Sequence, residues 1–129
     1  MKKILSILLF ALVSISSYAQ SNLFLRASTI TIGFRYEQGS EISWGETKPV
    51  NILIKITQTT ATVFSQTTQE YHLVSVVKKT ENATTYRCTN SEGKLCNLIV
   101  MPAPDEPGYI LFIIEFSDAV WYYKSKTDQ

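Results

Sequence analysis

The chain has 129 residues, with twelve basic and eleven acidic side chains, one histidine and two cysteines. A balance this close to neutral, with no cationic run, excludes nucleic acid and a polybasic membrane surface as partners, since both need concentrated positive charge to meet phosphates. A zinc site needs three or four ligands, and one histidine with two cysteines leaves only scattered carboxylates, so no metal and no cofactor are expected.

Lys2 and Lys3 precede an uncharged apolar stretch from Ile4 to Ile15, followed by Ser16, Ser17, Tyr18 and Ala19. This is the order of a secretory signal peptide, with small residues at 17 and 19 where the peptidase demands them. Cleavage is predicted after Ala19, which makes 1–19 the signal peptide and places the mature protein in the periplasm or outside the cell. The apolar stretch is shorter than the roughly 20 residues that cross a hydrocarbon core, and no second span follows, so no stable membrane anchor is expected. Cleavage removes two lysines and leaves ten basic residues against eleven acidic ones. The remainder suits a single β domain over 20–125 with a frayed tail at 126–129.

Alternation of apolar and polar residues between turn signals recurs about every ten residues, and no helical period does. The first strand is predicted over Thr29–Arg35, with Ile30, Ile32 and Phe34 on one face. A loop from Gln38 to Lys48 holds a short strand near Ile42–Trp44. Val50–Thr57 puts Val50, Ile52, Ile54 and Ile56 inward. The threonine-rich stretch 57–68 reads as a hairpin whose exposed strand is Ala61–Ser65, because threonine is β-branched. Strands follow at Glu70–Lys78, Thr84–Thr89 and Lys94–Met101. Three prolines and a glycine make Pro102–Gly108 a loop. Tyr109–Phe116 is apolar on both faces and reads as the most covered strand, and Val120–Lys124 is the last.

Eight or so short antiparallel strands joined by short turns make an all-β meander. The predicted closure is a small lipocalin-like barrel, which removes sheet edges; a two-sheet β-sandwich is the alternative. One hairpin has a defined register. If Ser91, Glu92 and Gly93 form a three-residue loop with Gly93 left-handed, Asn90 closes against Lys94 and Cys88 stands opposite Cys96. In an oxidising compartment these two are expected to form a disulfide, with Tyr86, Cys88, Cys96, Leu98 and Val100 facing inward.

Catalytic chemistry finds little support. His72 alternates with Tyr71 and Leu73 and reads as a half-exposed strand residue. Glu115 interrupts an apolar strand and is expected to pair with Arg35 or Arg87. Asp105 and Glu106 lie in the proline loop, and no nucleophile, phosphate-loop or calcium-loop motif is present. No catalytic residue is assigned, and the chain is not expected to be an enzyme.

The enrichment lies in aromatics. Trp121, Tyr122 and Tyr123 are consecutive, so a strand must show rings on both faces. Trp44, Tyr71, Tyr86, Phe112, Trp121 and Tyr123 are the candidate ligand-binding residues, because cavity-lining rings suit an apolar or saccharide ligand. Trp44-Gly45-Glu46, the isoleucines at 52, 54 and 56, Gln69-Glu70-Tyr71, Tyr86-Arg87-Cys88 with Gly93 and Cys96, and Trp121-Tyr122-Tyr123 together resemble short secreted bacterial β-proteins of unassigned function. That resemblance covers most of the mature chain and lends no catalytic residues. Trp44 is also similar to the first-strand tryptophan of lipocalins, although glycine here follows it directly instead of preceding it by two, which limits the likeness to architecture. The expected function is non-catalytic binding of a small molecule on aromatic residues. The alternative is an envelope protein-interaction or structural module with a protein partner, using an exposed strand such as Ala61–Ser65 for edge pairing.

Overall fold

The computed structural model describes residues 22–35 and 41–128, so the predicted export segment, positions 36–40 and Gln129 lie outside the described residues. Nine strands form, with no helix among the described residues: β1 Leu23–Phe34, β2 Ser43–Trp44, β3 Lys48–Ile56, β4 Thr60–Val63, β5 Gln69–Lys79, β6 Thr84–Asn90, β7 Leu95–Pro102, β8 Ile110–Glu115 and β9 Ala119–Thr127. Each strand from β3 onward pairs antiparallel with the next, and β1 pairs with both β3 and β9. The result is a closed eight-stranded antiparallel barrel of small lipocalin-like kind, with the two-residue β2 added beside the end of β1. The sandwich alternative does not apply.

Closure depends on one irregularity in β1. The sequence places Leu25 and Ala27 on odd positions and Ile30 and Ile32 on even ones, so a regular strand would turn one pair outward. A bulge at Ser28 shifts the register against both neighbours. The extra residue resets the parity, so Leu25 and Ala27 are fully buried and Ile30 also packs on the core. This explains why alternation located only the second half of β1: the first half reads out of phase with it.

The interior is filled. Leu25, Ile54, Val63, Leu98, Phe112, Ile114 and Tyr123 are the largest apolar side chains within it, all essentially inaccessible. Phe112 lies opposite Tyr123 across β8–β9 with ring centroids 6.0 Å apart in an edge-to-face contact. An eight-stranded barrel is just wide enough for its own side chains to fill. The three-residue turn after β6 forms as its sequence demands: Gly93 has φ +83°, Asn90 N–H donates to Lys94 O at 2.9 Å, and Asn90 Oδ1 accepts the N–H groups of Glu92 and Lys94. Cys88 therefore stands opposite Cys96, both buried on the inner face with Leu98. Both are thiols in the structure, with Cys88 Sγ donating to Tyr86 O at 3.8 Å, where the sequence expects a covalent bridge.

Two expectations are corrected. Ala61–Ser65 is not an exposed strand: Ala61 and Val63 are fully buried, and β4 is paired on both sides. Its threonines alternate with these two small apolar residues, which are enough to face a core. The tail predicted to fray from 126 continues β9 instead. Lys126 pairs with Arg26 and Thr127 with Leu25, and the segment is held by Asp128 N–H on Phe24 O and by an Arg26–Asp128 ion pair. Its polarity reflects an outer wall, not a lack of partners.

Candidate functional site: the barrel mouth

The turns between β4 and β5, β6 and β7, and β8 and β9 gather with the end of β1 at one end of the barrel. They surround an open cavity of about 650 Å³. Such a volume lies within the usual range for small-ligand sites. Its two walls differ in chemistry. One side carries Ile32, Phe34, Phe116, Ala119 and Trp121, from β1, β9 and the β8–β9 turn. The other carries Ser65, Thr67, Thr68, Gln69, Asn90 and Ser91.

Strand pairing produces the apolar wall. Ile32 is opposite Trp121 and Phe34 opposite Ala119, so these four side chains overrun the filled core toward the mouth. Phe116 packs on Trp121 with centroids 6.4 Å apart. At the floor, the Tyr71 hydroxyl donates to Gln69 Oε1 at 2.6 Å, and the Gln69 amide reaches Ser65 Oγ at 3.3 Å. Burial raises both phenols: Tyr71 lies well above its ordinary value, and Tyr123 is pushed up to about 12 by desolvation, against the lowering effect of Gln69. Both phenols thus stay neutral, and Gln69 locks the polar layer that separates the cavity from the core.

Of the six aromatic residues singled out in the sequence, the structure brings Tyr71 and Trp121 to this cavity. Phe112 and Tyr123 lie in the filled core beneath it, and Tyr86 is half-buried against that core, opposite Leu98. Trp44 is on the outside of the wall, where it meets Tyr122 edge to face at 5.9 Å. Phe34 and Phe116 are the mouth aromatics that the sequence did not single out as site residues. Phe34 already shared a face with Ile30 and Ile32, and that row, followed to its end, points to the rim.

The titratable residues are dispersed. His72 is exposed on the outer wall, 3.8 Å from Glu70. Glu115 pairs with Arg35 at 3.2 Å, as one of the two partners expected for it. Glu106 of the proline loop accepts from Lys124 at 2.7 Å, and that bond raises the lysine's pKa. Among the described residues, no three of His, Cys, Asp or Glu come together in a metal-binding group. Comparison with protein-family models, with curated proteins and with solved structures gave no match.

Proposed function

We propose that this protein is an exported, non-catalytic binding module that holds a small ligand in the mouth of the barrel, against Trp121 and its neighbouring aromatic residues. The observation that carries the reading is the cavity itself: an apolar wall and a hydrogen-bonding wall face each other above a solid core. Apolar lining supplies affinity and a few placed polar groups fix orientation. Export, as the signal-peptide pattern of residues 1–19 supports, puts Cys88 and Cys96 in an oxidising compartment, where their facing positions suit a disulfide. The test is ligand-dependent tryptophan fluorescence. Trp121 is in the mouth and Trp44 outside it, so binding changes the signal of wild type and of Trp44→Phe alike. A response that persists in Trp121→Phe and vanishes in Trp44→Phe removes the mouth from consideration.

A second reading, a protein-interaction module, is favoured by one feature of β5. β4 pairs only with Gln69–His72, so the backbone of Val74–Lys79 has no strand on that side among the described residues. Val74, Val76 and Val77 are each more than half exposed there. Such an edge accepts an added strand from a partner, although Lys78, Lys79 and two bulges are features that discourage edge pairing. A partner captured through this edge is lost on Val76→Pro; capture unaffected by that change places the interaction elsewhere.

A further inference from the structure

We infer that the ligand of the mouth is a neutral saccharide, a deepening that rests on the mouth being a binding site at all. Three observations converge on this class. The first is depth. Tyr71, Phe112, Tyr123, Leu98 and Ile114 close the barrel immediately below the cavity, each at 4% exposure or less. An acyl chain or other long apolar ligand needs a tunnel into the barrel, and among the described residues these buried side chains stand in its way.

The second is the division of the lining. A sugar ring has an apolar face of C–H groups and a perimeter of hydroxyls that both donate and accept. The mouth offers aromatic surface from Phe34, Phe116 and Trp121 on one side. Opposite stand the hydroxyls of Ser65, Thr67 and Thr68 with the amides of Gln69 and Asn90, groups that likewise donate and accept. Ser65 Oγ, the Gln69 amide and Asn90 Oδ1 already bond within the protein, whereas an apolar ligand would desolvate the Thr67 and Thr68 hydroxyls and the Asn90 amide N–H groups without offering them partners, at a cost for each.

The third is charge. Among the described residues, Lys94 is the one lysine that lines the cavity, and it lies 3.6 Å from Asp118 and over the Phe116 ring at 5.0 Å. Glu70 and Glu92 add negative charge to the lining. A carboxylated or phosphorylated ligand would thus meet acidic groups and a cation already engaged, whereas a neutral one meets no such opposition.

Isothermal titration of the exported, full-length mature protein decides the matter. The probes are cellotetraose, maltotetraose, laminaritetraose and chitotetraose in its N-acetylated form, with tetragalacturonate as the anionic sugar and laurate as the apolar chain. At least one neutral oligosaccharide binds, tetragalacturonate and laurate bind at least tenfold more weakly, and Trp121→Ala weakens the sugar tenfold or more. Phe34→Ser, at a side chain 59% exposed and therefore dispensable for folding, weakens it severalfold without lowering the melting temperature. Laurate binding that these two changes abolish, with no response to any neutral sugar, overturns the saccharide class while leaving the mouth as a site. No response to any probe overturns both, and sugar binding untouched by either substitution overturns the location.

Discussion

Cys88 and Cys96 face each other across the β6–β7 ladder on the inner surface of the barrel, two residue pairs from a turn that Gly93 closes. The neighbouring Cys96 and burial raise the Cys88 thiol, whereas the neighbouring Cys88 lowers Cys96. The facing positions of a regular antiparallel ladder fall within the Cα separations that disulfides span, so oxidation needs no backbone movement.

Protein recovered from the periplasm or medium is therefore expected to weigh about 2 Da less than the reduced chain and to resist alkylation. The loop enclosed by the bridge is short, and chain entropy sets its contribution at about 2.5 kcal/mol. For a domain of this size, reduction should lower the melting temperature by about 10–20 °C. Equal melting temperatures with and without dithiothreitol, on protein shown by mass to be bridged, would contradict this.

Alkaline pH should destabilise the barrel through its buried phenols. Tyr123 holds its proton up to about 12 in the folded state, and Tyr71 holds its own beyond its ordinary range, both chiefly because burial disfavours the phenolate. The unfolded chain releases these protons near pH 10, so above that value it binds fewer protons than the folded chain. Stability is then fully present below pH 10 and falls as pH rises toward 12, by on the order of 2 kcal/mol for Tyr123. Melting curves from pH 9 to 12 read this directly. Tyr123→Phe should flatten the pH dependence; an unchanged slope would show that other groups cause it.

Gly33→Ala should loosen the short β2 strand without unfolding the barrel. Gly33 is buried and pairs with Trp44. A methyl group there would overlap the Ile42 side chain and approach the Trp44 ring to 2.8 Å. Both obstacles are side chains of the short segment from Ile42 to Trp44 that covers β1, so that segment gives way before the barrel does. The expected cost is about 1–2 kcal/mol, at the lower end of overpacking effects, with a red-shifted Trp44 emission as its contact with Tyr122 is lost. Wild-type emission together with wild-type stability would show that the space is larger than it appears.

Much of this fold was legible because period-two sidedness is local. The inward set of β3, the Cys88–Cys96 register and the proline loop each followed from residues within a dozen positions of one another. What escaped depended on distant partners. The bulge at Ser28 is a parity change that only the neighbouring strands β3 and β9 impose. The burial of Ala61 and Val63 comes from Ile54, Ile56, Tyr71 and Gln69 across two ladders.

The candidate site was less legible still, since its walls join Ile32 to Trp121 and Ser65 to Asn90, residues that only barrel closure brings together. Aromatic content flagged Trp121 and Tyr71, which line the cavity. It could not distinguish them from Phe112 and Tyr123, whose equal hydrophobicity fills the core one layer below.

The claim on which the functional reading turns is that ligand meets the protein only at the β4–β5, β6–β7 and β8–β9 end. Amide chemical-shift mapping with each oligosaccharide of the panel tests it most directly. The prediction is a contiguous set of perturbations at Ile32, Phe34, Ser65–Gln69, Asn90, Ser91 and Trp121, with Ala103–Tyr109 at the far end unmoved. Perturbations centred on the far end or on the outer wall, or none at any sugar concentration, would contradict it.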